Sequence, residues 1–410
     1  MNYPIDQIRL KFPALQRKEN GKSVIFFDGP GGTQMVDDAI EEMVAYISSG
    51  MANLHGTFDT SKETEKMIAE TREAVADLLG CKSHEVAFGA NMTTLAFAIA
   101  RGLGSYLQKG DEVVVTELDH RANVDPWVTL AEDRDASVKF IELDPDSYTL
   151  QMEHLDKMIT SNTKLVAVGL SSNVTGTVTE VEEIIERAKE VGALVVVDAV
   201  HAVPHLPIDF SALNCDILLC SAYKFFGPHV GIAVVKDTLF HELAVYKLAP
   251  APSLPPFKLE TGTQNHEGIA GVKGAIRFIE GLGEGSTRRE RLQSGLERID
   301  DYERSVACEL ERFLRTLPSV TLYRAPDGVR KTPTLAFTIE GEDSREVTKW
   351  LATHFQLFVA DGDFYASTMA NKLGVSHYNG WIRIGLAPYN TMDEIKRCME
   401  ALQEYVNKKR

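Results

Sequence analysis

Positive charge is what this chain is short of. Its 410 residues carry 43 Lys and Arg against 59 Asp and Glu, a formal net charge of −16. That balance favours solubility and speaks against a surface built for nucleic acid or an anionic membrane. The short basic run Ser286-Thr287-Arg288-Arg289 reads as a solvated helix face. Cysteine is scarce too: Cys81, Cys215, Cys220, Cys308 and Cys398 form an odd set at irregular spacing. With no CxxC pair and no Cys/His cluster, neither a disulfide framework nor a zinc site is expected. Cys215 and Cys220 flank an apolar run and read as small buried side chains. No apolar run is long enough to span a bilayer. The opening MNYPIDQIRLKFPAL has Pro and Asp where a signal peptide needs an apolar core. The expectation is a cytoplasmic protein with no membrane or nucleic-acid partner.

What is present is ordinary globular material, 44% hydrophobic and 25% charged, enough for one large domain and a smaller one. Short apolar runs recur at 111–118, 137–143, 164–170, 192–200, 216–222 and 230–235, with amphipathic segments at 150–160 and 179–192 between some of them. Several runs are continuously apolar rather than alternating, the pattern of a sheet covered by helices on both faces. This predicts an α/β fold with a mostly parallel sheet over residues 51–280. After 280 the texture changes to a long charged helix (281–317), strands at 319–324, 332–340, 357–360 and 380–386, and helices at 344–355 and 391–409. That reads as a smaller α+β domain over 281–410, with residues 1–50 as an N-terminal segment packing against it.

Four polar features stand at the ends of predicted strands, where open α/β sheets bind ligands. They are Asp198, the Ser221-Ala222-Tyr223-Lys224 turn, the turn at 88–94 that opens a helix, and SSNVTGT at 171–177. Each has a plain reading: a strand-end Asp is a turn residue or a helix cap, and a lysine can reach solvent along its stem. Yet Lys224 is the only Lys or Arg between Lys189 and Lys236, and it sits between two apolar runs. A lysine amine so placed can form a Schiff base. A carboxylate on a neighbouring strand can hold a pyridine nitrogen protonated, and a helix N-terminus with Thr hydroxyls can cradle a phosphate. Together these are the requirements of pyridoxal 5′-phosphate.

Read in order, FFDGPGGTQ (26–34), GANMTT (89–94), TELDHRANVDPW (116–127), SSNVTGT, VVVDAVHAVPH (195–205), SAYKFFGPHVG (221–231), ETGTQNHEG (260–268) and WIRIGLAPYNT (381–391) carry a resemblance across nearly the whole chain. The chain resembles the class-V aminotransferase family of fold-type-I pyridoxal-phosphate enzymes, in its cysteine-desulfurase-like branch. The resemblance implies a seven-stranded, mostly parallel sheet between helices, and Lys224 as the covalent lysine and proton shuttle. It makes Asp198 the partner of the pyridine nitrogen and His120 the residue stacked on the ring. Thr93, with the backbone of Asn91 and Met92 and help from Ser221 and Tyr223, would hold the phosphate. Asn173 and His201 would lie near the phenolic oxygen, and Arg383 would clamp the substrate carboxylate, with His55 a further pocket candidate. Thr263 would reach the phosphate of the other subunit, implying a homodimer with composite active sites.

The sequence departs from that pattern at His201, where Gln is usual, and at Tyr223, where His is usual. A third departure is the loop that carries the nucleophilic cysteine of desulfurases. Here it reads VADGDFYAST (359–368), with Tyr365 near the expected position and no cysteine. The expected activity is therefore action on a small α-amino acid, through an external aldimine and a quinonoid, by transamination or β-elimination of the C–S lyase type. A true desulfurase using a cysteine outside the loop, and a non-catalytic member of the family, are the alternatives.

Overall fold

The computed structural model describes residues 3–409; the outer limits at 1 and 410 lie outside them. Seven strands form the main sheet: β1 (Val86–Gly89), β2 (Glu112–Thr116), β3 (Ser137–Ile141), β4 (Thr163–Gly169), β5 (Leu194–Asp198), β6 (Ile217–Ser221) and β7 (Gly231–Val235). Their spatial order is β1-β7-β6-β5-β4-β2-β3. Only β7 runs antiparallel to its neighbours, and the other pairs are parallel. The continuous apolar runs follow from burial on both faces. Along β4 and β5, Val166, Val168, Val195 and Val197 join one apolar cluster, while Leu165, Ala167 and Val196 join the cluster on the opposite face. Helices Asp59–Leu79, Val181–Glu190 and His266–Glu280 cover the first face; Met92–Gly102 and Asp125–Glu132 cover the second.

A second, antiparallel sheet holds β8 (Val320–Tyr323), β9 (Thr334–Ile339), β10 (Ala360–Gly362) and β11 (Trp381–Gly385), in the order β8-β9-β11-β10. Its core includes Phe337, Ile382 and Ile384, packed against helices Arg288–Leu314, Ser344–Phe355 and Met392–Lys409. The N-terminal stretch joins this region: Ile25–Phe26 pairs with Leu357–Phe358, and Asp28 forms a parallel bridge with Gly385.

Three local expectations change. The segment 150–160 is not a continuous helix but a 3-10 turn, Met152–His154, and one helical turn, Leu155–Met158. Leu150 is drawn into a two-residue hairpin with Leu143, and Ile159 is extended. The predicted strand 357–360 divides: its first half pairs with Ile25–Phe26, and Ala360 begins β10. Strand β1 was hidden in sequence because its apolar stretch is only Val-Ala-Phe before Gly89.

Candidate active site

A cavity of about 990 Å³ opens at the carboxyl ends of β4, β5 and β6. Of the thirteen residues singled out from sequence, eleven line it. Parallel register sets their positions: Asp198, the last residue of β5, pairs with Gly169 of β4 on one side and Leu219 of β6 on the other. Ser221 ends β6, and a 3-10 turn, Ala222–Lys224, then swings the lysine towards the cavity.

The Lys224 ammonium donates to the carbonyl oxygens of Pro30 and of Gly31, the latter at 3.0 Å, and lies 4.7 Å from the Tyr223 ring centroid. Burial lowers its pKa to about 8, helped by the positive charge of Arg383 and opposed by Asp28 and Asp198. Burial raises Asp198 to about 6, while the Val200 N–H, donating at 2.8 Å, and Lys224 pull it down. Asp198 therefore stays ionised at neutral pH. His120 accepts from the Ala122 N–H at 3.0 Å through Nδ1, which leaves Nε2 to carry the ring proton. Burial first, then Lys224 and Arg383, hold its pKa down to about 4, so the ring is neutral.

Helix Met92–Gly102 starts at the cavity with Asn91 as N-cap, its Oδ1 accepting from Thr94 N–H at 2.9 Å. The Met92 N–H donates to Ser221 Oγ at 3.0 Å, so it is taken, and the Ser221 hydroxyl keeps its own proton to give. Thr93 Oγ1 and N–H have no hydrogen-bond partner among the described residues and remain for an anion.

Arg383 leaves the middle of β11 and is fully buried. Its Nη2 donates to Asp28 Oδ1 at 2.7 Å and its Nη1 to the Asn173 carbonyl at 3.0 Å. The Phe364 ring lies against the guanidinium at 3.8 Å. Asn173 Nδ2 donates to the Phe364 carbonyl at 3.0 Å, and the Arg121 N–H donates to the Tyr365 carbonyl at 2.8 Å. The loop after β10 is thus tied across the cavity mouth, with the Tyr365 ring 5.4 Å from that of His120.

Two predicted residues lie outside this cavity. His55 is exposed, with Glu65 Oε1 3.2 Å from its Nδ1 and accepting its backbone N–H at 2.6 Å; that carboxylate turns the residue outward. Thr263 is exposed in the loop before helix His266–Glu280. His201 does line the cavity, but its Nε2 is engaged by Thr332 Oγ1 at 2.9 Å and Thr334 Oγ1 at 3.1 Å. Only Nδ1 is left for the role at the phenolic oxygen, and burial keeps this ring neutral. Behind it, His205 Nδ1 lies 2.7 Å from Glu303 Oε2, both fully buried.

The family model for class-V aminotransferases matches residues 25–398. The chain belongs to the class-V aminotransferase family. A cysteine desulfurase of Serratia proteamaculans (strain 568) is 30% identical over 421 residues, covering 98% of each chain. One of Enterobacter sp. (strain 638) is 30% identical over 419 residues, also covering 98% of each. Among solved structures, apo cysteine desulfurase from Thermococcus onnurineus NA1 superposes with a TM-score of 0.88 at 28% identity, covering 99% of both chains. The cofactor of this family is pyridoxal 5′-phosphate, and the chain is a PLP-dependent enzyme with the fold-type-I architecture.

The cavity fits that cofactor. Ser171 Oγ, Asn173 Oδ1 and Arg383 Nε line it and are buried with no hydrogen-bond partner. Orphaned polar atoms of this kind are costly unless a bound polar group meets them. Sequence reasoning missed three residues of this class-V site: Asp28, Phe364 and Asp119. Asp119 is buried, accepts from Gly169 N–H at 3.0 Å and Asn123 Nδ2 at 2.7 Å, and burial raises it to about 7. Its one sequence signal is an acid directly before His120, at the end of an apolar strand. Among the described residues no group of His, Cys, Asp and Glu forms a metal site, and no helix is long and apolar enough to cross a membrane.

Proposed function

We propose that the protein cleaves a small α-amino acid by β-elimination, as a PLP-dependent lyase of the C–S type. The observation that carries this is the absence of cysteine from the cavity lining, with Tyr365 at its mouth where a desulfurase needs its sulfur acceptor. Cys215, Cys220 and Cys398 are buried, and burial raises their thiol pKa values, those of Cys215 and Cys398 to about 12. A thiol held protonated is a poor nucleophile. Cys308 is exposed, on a helix that does not line the cavity.

Bound PLP supplies the electron sink for the pair left at the substrate Cα. Lys224 holds the cofactor and takes the Cα proton, a role suited to an amine whose pKa of about 8 lies near neutrality. Asp198 stays ionised and faces the ring nitrogen. Thr93 and Ser221 donate to the phosphate. Arg383 and Asn173 orient the amino acid by its carboxylate, and His120, carrying its proton on Nε2, is the donor for a departing thiolate.

Incubation with L-cysteine tests the reading. Elimination yields sulfide, pyruvate and ammonia in equal amounts, whichever cysteine is replaced by Ser. Alanine as the product, or sulfide release that is lost with one cysteine side chain, would restore the desulfurase mechanism.

We further propose a homodimer with composite sites. Exposed apolar side chains cluster in two stretches, Val44, Ile47, Met51 and Phe58, and Tyr246, Leu248, Leu254 and Phe257. Such an apolar surface is larger than a monomer commonly leaves open. Thr263 follows the second stretch closely and His55 lies within the first, which supports both as groups lent to a partner's cavity. Light scattering that returned the mass of one 45.4 kDa chain would rule the dimer out.

A further inference from the structure

Arg383 is held ready to receive a carboxylate, and it already holds one. A guanidinium presents a side-on fork made of Nε–H and one Nη2–H, which matches the two oxygens of a carboxylate. In this fork Nη2 donates to Asp28 Oδ1 at 2.7 Å, while Nε is buried with no partner. One prong is taken and the other is open. The two partners differ in access: the Asp28 side chain is 44% exposed and that of Arg383 4%. Asp28 therefore approaches from the side a ligand must use.

The backbone sets this contact. Asp28 bridges Gly385, two residues beyond Arg383, and the Gly29 N–H donates to the Gly385 carbonyl at 3.2 Å. A Cβ at Gly385 would lie 1.9 Å from Pro30 Cδ, and one at Gly31 would lie 2.1 Å from Asp28 Oδ2. Both glycines are what allow the turn to lie flat on β11 with the carboxylate folded over it.

We propose that Asp28 is an internal occupant of the Arg383 fork, exchanged for the substrate carboxylate, and that it selects amino acids with a single carboxylate. This rests on the reading above that Arg383 receives the substrate. An entering carboxylate takes Nε and displaces Asp28 from Nη2. Asp28 stays beside the bound molecule, and Asp363 also lines the cavity. A second negative charge on the ligand meets both, so acidic side chains are disfavoured and neutral ones accepted.

Calorimetric titration of the cofactor-loaded protein with propionate and succinate, at one ionic strength, tests this. The native protein is expected to bind propionate more tightly than succinate. Asp28→Asn removes the competing charge while preserving shape; propionate affinity should rise about tenfold and the gap to succinate should narrow. Unchanged propionate affinity in Asp28→Asn, or succinate binding as tightly as propionate in the native protein, overturns the proposal. The second comparison needs no variant, so it decides even if Asp28→Asn does not fold. Arg383→Ala separates the two levels of the argument. Propionate binding insensitive to Arg383→Ala removes the clamp itself; binding that needs Arg383 but ignores Asp28 removes only the exchange.

Discussion

At one end of the cavity the functional side chains leave the main sheet at strand ends: Asp198 closes β5, Ser221 closes β6, and Lys224 follows three residues later. At the other end they arrive from separate stretches of chain: Asp28 from an N-terminal turn, Asn173 from the loop after β4, Phe364 from the loop after β10, and Arg383 from β11. The first end takes its geometry from ladder hydrogen bonds between fully buried strands. The second takes it from side-chain contacts and from backbone that is not relaxed. Phe364 and Tyr365 have φ of 53° and 57°, a left-handed conformation that costs bulky side chains about 1 kcal/mol or more each. It persists because Asn173 and Arg121 donate to the two carbonyls and Arg383 packs on the ring. The difference is one of task. A cofactor of one shape is served by rigid register, whereas the choice among amino acids falls to loops that can be rebuilt without disturbing the sheet.

The largest effect should come from the rigid end. Lys224→Ala is expected to abolish the visible absorption band of covalently held cofactor and to lower activity about 10²–10⁴-fold, the range of one positioned acid–base group. In the native protein the rate of covalent capture should follow the neutral amine. With a pKa of about 8, capture is slow below that pH, gaining about tenfold per unit, and level above it. Absorbance after adding cofactor at a series of pH values measures both. A band that survives Lys224→Ala would remove the lysine from its assigned place and, with it, the contrast between the two ends.

Legibility in sequence divides along the same line. At the sheet end each residue follows an apolar run and precedes a polar turn, so its place at a strand terminus can be argued without knowing what lies opposite. Asp198 and Lys224 were legible for that reason, as was the mostly parallel sheet. Asp28 was not, because FFDGPGG reads as a turn and nothing local shows that β11 returns to it 355 positions later. His201 was placed in the cavity but given a freer ring than it has, since Thr332 and Thr334 lie more than 130 positions on. Phe364 depends on two consecutive left-handed residues without glycine, a conformation no propensity favours. The helix expected over 150–160 failed where Leu150 was claimed by a hairpin, a tertiary choice that periodicity cannot register.

The smallest effect should come from the loop end, and it sharpens the contrast. The Phe364 ring faces the Arg383 guanidinium at 3.8 Å, a cation–π contact worth about 0.5–2 kcal/mol. Phe364→Leu keeps the loop filled and removes the aromatic face, so the guanidinium loses the surface that holds it flat towards an incoming carboxylate. KM for the amino acid should rise about 2–30-fold with kcat little changed, because the contact serves ground-state binding and not the Cα proton transfer at Lys224. The visible band should be as in the native protein, since the ring makes none of the contacts assigned to the cofactor. Steady-state kinetics together with the absorption spectrum separates the outcomes. A fall in kcat with an altered band would mean that the loop shapes the cofactor end as well, and that the cavity is one mechanical unit and not two.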